Sequence, residues 1–331
     1  MPSTIHVSAP GKLMLLGEHA VVHGRPCLVT AMDSRLHMAL TRRDDDRFTI
    51  DAPDVGAHGV TGRLADALRD GHALAPGTRF IESALRVYAE RIGLESGVAI
   101  ATRSDFSSQW GLGSSSATVA CTLFGLARLQ RADLAPLRLF ELGLEAIRRA
   151  QGTGSGFDLA AAIFGGTLYY ENAAPCRIEP LNAPGLPLVA AYSGVKADTA
   201  TYIGRVNARL AAHPEAVEHL FEATRALVIA GRQALLQADW ARLGDLLDVG
   251  HGLAHALGVD IPQTAALVFA ARAAGACGAK LSGAGGGDCV IALATDDRRA
   301  DVELALEAGG GTLLRAAPNA LGVRVEVEVS P

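Results

Sequence analysis

Two glycine loops constrain this chain more than any other feature. "GLGSSSATVA", residues 111–120, runs straight into an apolar-periodic helix, and "KLSGAGGGDCVIAL", residues 280–293, packs four glycines into five residues before a strand-like run. A loop that opens a helix leaves the first backbone amides without partners, and the helix dipole favours an anion there. The first loop lacks the GK[ST] ending of a Walker A loop and the GxGxxG pattern of a dinucleotide fold. A plain serine cap is the alternative reading of Ser114, Ser115 and Ser116. The second loop ends in Asp288, a carboxylate where an anion-binding loop would want none. It reads equally as a ligand for a metal or its water and as a cap on the following turn.

Two more segments carry chemistry. "SAPGKLMLLGEHAVVHG" places Lys12, Glu18 and His19 after a strand that ends at Pro10–Gly11. Lys12 can hold an anionic group there, or the segment is an ordinary turn with solvated side chains. "QGTGSGFDLAAAIFGG" sets Asp158 among small and apolar residues, where a carboxylate needs a partner or a helix to cap. Lys12 is the long-range partner that would keep it ionised and aimed at a hydroxyl. Together the loops, the lysine and the aspartate point to phosphotransfer from a nucleotide, with Mg²⁺ as its companion. His251 and His255 stand one turn apart with no third ligand and read as helix-surface residues.

The rest bounds the class. The chain has 331 residues, 49% of them apolar and 20% charged, with a formal charge of −5. No basic stripe marks a nucleic-acid surface. No uninterrupted apolar run reaches the roughly 20 residues of a membrane span. The five cysteines are scattered without a CxxC pair, which predicts buried, reduced thiols and a cytoplasmic home. "MPSTIHVSAPG" lacks the regions of a signal peptide.

Periodicity predicts strands at "TIHVSA", "PCLVTAM…RLHMAL", "RFTIDA", "SGVAIAT", "GGTLYYE", "CVIALA", "GTLLRA" and "VRVEVEVS". It predicts helices in "TRFIESALRVYAERIG", "GLGSSSATVACTLFGLARLQ" and "LAPLRLFELGLEAIRRAQG", then near 198–211, 214–236, 239–257, 262–276 and 297–308. The fold class is therefore α+β, with mostly antiparallel strands. The Pro-, Asn- and Gly-rich stretch near 172–187 is the boundary candidate, dividing the chain into 1–185 and 186–331.

"APGKLMLLGEHAVVHG", "GLGSSSA", "GSGFD" and "KLSGAGGGDC", in this order and spacing, resemble the GHMP kinase superfamily over nearly the whole chain. The resemblance implies a ribosomal-protein-S5-like N-terminal domain and a ferredoxin-like C-terminal domain, with the site between them. It implies ATP and Mg²⁺, with Gly111, Leu112, Gly113, Ser114, Ser115 and Ser116 around the phosphates and Ser115 on the metal. By the same resemblance Asp158 is the catalytic base and Lys12 its partner. Glu18, His19, Thr199, Gly285 and Gly286 line the acceptor, flanked by Gly283 and Gly287.

Within the superfamily, "GEHAVVHG" and the run from "SGVKADT" to "AGACGAKLSGAGGG" resemble mevalonate kinases, implying a small-molecule acid, mevalonate, as acceptor. "WGLGSS", "GSGFD" and "GGGDC" resemble phosphomevalonate kinases, for which Lys196 and Arg103 are the available extra cations. A relative that binds nucleotide without transfer is the third expectation, and homodimers occur among the resembling proteins. Mevalonate kinases carry a metal-binding glutamate eleven residues before the aspartate. Here that position is Ile147, and Glu145, about 200° away on a helix, faces elsewhere.

Overall fold

The structure, a computed structural model, describes residues 3–67, 75–173 and 176–329. Ala174 and Pro175 of the boundary stretch and Ser330 of the last expected strand lie outside these residues. In chain order the elements are β1 (Thr4–Leu16), β2 (Pro26–Arg42), β3 (Arg47–Ala52), β4 (Ala57–Arg63), the single turn α1 (Leu64–Ala67), α2 (Arg79–Arg91), β5 (Val98–Ser104), α3 (Ser114–Leu129), α4 (Pro136–Gln151), α5 (Phe157–Phe164), β6 (Thr167–Glu171), β7 (Arg177–Leu181) and β8 (Leu188–Tyr192). There follow α6 (Thr199–Ala212), α7 (Pro214–Gln237), α8 (Trp240–Ala256), α9 (Pro262–Ala273), β9 (Gly278–Ser282), β10 (Cys289–Leu293), α10 (Arg299–Ala308), β11 (Thr312–Leu313) and β12 (Arg324–Val329).

Eight strands form the first sheet, in the order β12-β1-β2-β5-β3-β4, with β6 on the other end of β2 and β7 beside β6. The 17-residue β2 makes this possible: its first half pairs with β6 and its second half with β5. Among the described pairs only β3 with β5 is parallel. Helix α3 packs across β1 and β2, with α2, α4 and α5 around it.

Four antiparallel strands, β11-β8-β10-β9, form the second sheet. Strands β8 and β10 are apolar on both faces because both faces are covered. Cys289, Ile291 and Leu293 of β10 enter the large core shared with the first sheet, whereas Val290 and Ala292 enter a separate core under α9 and α10. That two-residue alternation of partners is the pleat itself. The large core also takes in Leu235 of α7 and Leu243 and Leu247 of α8, so the interface between the two halves is continuous and apolar.

Strands β4 and β9 were not expected, and four further features differ from the expectations. β1 does not end at Pro10–Gly11; it continues through a register shift there, a bulge that tolerates proline within a strand. The stretch near 172–187 contains a strand, β7, hairpinned onto β6. Residues 324–329 leave the second half and pair with β1, so the chain after residue 186 is not one closed unit. The strand expected in "GTLLRA" is only two residues long, because Leu314 onward turns back toward the first sheet, with Asp33 N donating to Ala317 O at 2.9 Å.

None of the five cysteines is disulfide-bonded; Cys27, Cys121 and Cys289 are buried, while Cys176 and Cys277 are only partly so. Among the described residues no helix is long and apolar enough to cross a membrane.

Candidate active site

The bulge in β1 turns Lys12 under the loop that leads into α3. Lys12 Nζ lies 2.9 Å from Asp158 Oδ1 and donates to Gly111 O at 3.0 Å, while its backbone N donates to Leu112 O. The contact with Asp158 is an ion pair rather than an aligned hydrogen bond, since Oδ1 has no hydrogen-bond partner. Burial works to lower the Lys12 pKa, but the charge of Asp158, aided by that of Asp288, outweighs it and raises the pKa above its ordinary value. Lys12 is thus held as an ammonium. Its side chain is 8% exposed, whereas that of Asp158 is 31% exposed, so the carboxylate is the accessible member of the pair.

Asp158 is not a helix cap. Gly156 is the N-cap of α5, and Asp158 sits in the first turn, where the helix dipole favours a negative charge. The serines do not cap α3 either. Its N-cap is Gly113, with no side-chain cap bond, and no hydroxyl of Ser114, Ser115 or Ser116 bonds within the described residues. The first helical bond runs from Ala117 N to Gly113 O, which leaves the amides of Ser114, Ser115 and Ser116 as free donors.

Glycine is required in this loop on two counts. Gly111 and Gly113 have φ of 72° and 79°, and a Cβ on Gly113 would meet Lys12 Cγ at 3.2 Å. The N-terminus of α3 therefore lies directly over the Lys12–Asp158 pair.

The second glycine loop is the turn of the β9–β10 hairpin, and it docks on the first. A Cβ on Gly111 would lie 2.3 Å from Asp288 Oδ2. Asp288 itself has φ of 55°, and its Oδ1 accepts from Ala197 N at 3.0 Å and pairs with Lys196 Nζ at 3.3 Å. Neither expected role of Asp288 describes this geometry: rather than capping the turn that follows, its carboxylate locks the loop to the segment at Lys196 and Ala197. Among the described residues no group of three His, Cys, Asp or Glu is placed to hold a metal. Ile147 is buried in the core, and Glu145 pairs with Arg91 and Arg149 on the surface.

Other predicted residues fall elsewhere. Glu18 does not face an open pocket: its carboxylate pairs with Lys280, which is fully buried in β9. His19 Nε2 donates to Ala284 O at 2.9 Å, tying the "GEH" segment to the glycine loop. Burial lowers its pKa, so the ring is neutral. Carbonyl and ring close over the remaining glycines: Gly285 abuts Val259 O and Gly286 lies against Tyr202. Gly283 borders open space, and Gly287 abuts Val195 O. Thr199 begins α6, exposed, one residue after its N-cap Asp198.

Arg103 is 68% exposed and bound to Asp105, whose other oxygen meets His37. His251 is not a surface residue: it is buried, 3.5 Å from Asp260, while His255 is exposed. The sequence reading missed Lys280, Ser282, whose hydroxyl bonds both N and O of Met14, and Cys289, whose thiol donates to Trp110 O at 3.0 Å. A lysine inside the apolar run "GAKLS" was the available signal.

Comparison with known proteins bears on the family and the fold. The family model described as GHMP kinases N terminal domain matches residues 79–166, and that described as GHMP kinases C terminal matches residues 232–311. A mevalonate kinase of Pyrococcus horikoshii is 32% identical over 339 aligned positions that span both chains completely. Among solved structures, the Lin0012 protein of Listeria innocua superposes with a TM-score of 0.87 at 20% identity, covering 98% of this chain and 99% of that one. The mevalonate kinase of Methanococcus jannaschii gives 0.81 at 21% identity, covering 97% and 98%. These two likenesses establish the fold, and the full-length relative establishes more: the chain belongs to the GHMP kinases, ATP-dependent kinases of small molecules.

Proposed function

We propose that the protein transfers the γ-phosphoryl group of ATP to the primary hydroxyl of mevalonate, giving 5-phosphomevalonate and ADP. The observation that carries this reading is the Lys12–Asp158 pair, with its carboxylate open to the cleft beneath the free amides of α3. MgATP enters as a substrate complex. The free amides of Ser114–Ser116 at the N-terminus of α3 would hold its phosphates, and the Ser115 hydroxyl would be the group available to the magnesium ion.

Asp158 Oδ2 accepts the proton of the acceptor hydroxyl as that oxygen attacks the terminal phosphorus in line. Lys12, held protonated, orients Asp158 through their ion pair and balances the charge that builds on the transferring oxygens. His19 and the glycine loop close the acceptor side, and Thr199 borders it at the start of α6. The relatives named mevalonate kinase at about 31–32% identity support the acceptor.

5-Phosphomevalonate is the second reading, favoured by the forms "WGLGSS" and "GGGDC". Its extra phosphate asks for two or three converging cations. Arg103 is committed to Asp105, which leaves Lys196 as a single cation of the two where two or three are asked for. The test is ADP release from MgATP with either acid. Mevalonate alone should support turnover, with 5-phosphomevalonate as product; activity confined to 5-phosphomevalonate would reverse the assignment. ATP binding without ADP release from either acid would support a non-catalytic relative.

A further inference from the structure

Lys196 and Asp288 form a second cation–carboxylate pair at the cleft, one that the reaction above does not use. Asp288 is stitched to the segment before α6 from both ends. Its N donates to Val195 O at 2.7 Å, its O accepts from Ser193 N at 2.8 Å, and its Oδ1 takes the Ala197 amide. All this holds a non-glycine residue at φ 55°, in the left-handed region that favours glycine. The other oxygen, Oδ2, lies against Gly111 of the α3 loop.

Two ammonium groups therefore approach Gly111 from opposite halves of the molecule. Lys12 bonds its carbonyl, and Lys196 reaches it across the width of one carboxylate. They differ in freedom. Lys12 is 8% exposed and fixed by Gly111 and Asp158; Lys196 is 46% exposed and held by one 3.3 Å contact. Without nucleotide the four charges, two lysines and two aspartates, cancel. A triphosphate at the α3 N-terminus adds several negative charges beside them, and only Lys196, on a flexible stem with three rotatable donors, can turn to meet it. Asp288 is not orphaned by the exchange, because the Ala197 amide remains on Oδ1.

We propose that Lys196 is an additional ligand of the ATP polyphosphate, parked on Asp288 at the seam between the two halves and transferred to the terminal phosphates when ATP binds. The inference rests on the placement of ATP at α3 but not on the identity of the acceptor.

The test is calorimetric binding of MgATP, MgADP and AMP to the full chain without acceptor, for the wild type, Lys196→Ala, Lys196→Arg and Asp288→Asn. Lys196→Ala should weaken ATP about tenfold, the loss of one charge-assisted contact, and leave AMP within about twofold. Lys196→Arg should recover most of the loss. Asp288→Asn, which keeps an acceptor for Ala197 N while freeing Lys196, should bind ATP at least as tightly as the wild type. Unchanged ATP affinity in Lys196→Ala, an equal loss for AMP, or an effect seen only in the KM of the acceptor would overturn the proposal. A wild type that binds ATP but phosphorylates an acid other than mevalonate would remove the acceptor assignment and leave this one standing. A wild type that does not bind ATP would remove both.

Discussion

Lys12–Asp158 and Lys280–Glu18 are the same chemical pair in two settings. Lys280 is fully buried and Glu18 nearly so, and they join β9 to the segment after β1 across the seam. There burial wins: despite Glu18, the Lys280 pKa is pushed below its ordinary value. At Lys12 burial loses to the summed charge of Asp158 and Asp288, and the pKa rises. One pair keeps a firm cation next to an accessible carboxylate. The other is sealed from any ligand and, with the Ser282 hydroxyl bridging Met14, fastens the two halves together. Residue type alone does not separate them; access for a substrate does.

The largest predicted effect strikes the open pair. Lys12→Met should lower kcat by about 10²–10⁴-fold, as loss of a partner in proton transfer does, with the urea midpoint little changed. The closed pair should respond in the opposite currency. Lys280→Met leaves Glu18 buried and unpaired and should cost about 3–5 kcal/mol in urea unfolding. Pairing it with Glu18→Gln should restore part of that stability. A Lys280→Met protein of full stability but negligible turnover would break the distinction.

A smaller effect concerns His251, which lies near the closed pair and has Asp260, Arg272, Lys280 and His255 around it. Burial, with the nearby cations, lowers its pKa to about 4 in the folded chain. The unfolded chain takes up a proton near pH 6.5 that the folded one refuses, so stability should be full above that value and fall as the pH drops toward 4. Between pH 7 and pH 5 the loss is on the order of 2 kcal/mol. Urea titrations at pH 7 and pH 5 check it, and His251→Gln should flatten the difference. Smallest of all, Ser115→Ala should weaken MgATP binding by about fivefold, one hydrogen bond at the open site.

Much of this arrangement was legible in the sequence, for identifiable reasons. Helices α6 to α9 follow the apolar period closely, and the Lys12–Asp158 pair follows from a carboxylate stranded among alanines with one lysine in a glycine-punctuated segment to match it. Strand β4, "AHGVTGR", was not legible, because two glycines and an exposed face hide its pattern. Nor was β12's return to β1, a pairing across more than 300 residues that no local period reports. Strand β9, "GAKLS", was not legible either, because Lys280 interrupts a short apolar run; only the fold sets it against Glu18. For Asp288 the sequence offers a metal ligand or a cap on the following turn; its carboxylate instead takes Ala197 N and Lys196 from a segment about ninety residues earlier, a partner no local pattern reports.

The most direct test of the account is the turnover of Asp158→Asn measured together with its ATP affinity. The substitution keeps the shape of the side chain and removes the base. The account predicts that kcat with mevalonate falls by at least about 10²-fold while ATP binding and the urea midpoint stay near wild type. Turnover equal to wild type in a folded, ATP-binding Asp158→Asn protein would contradict it.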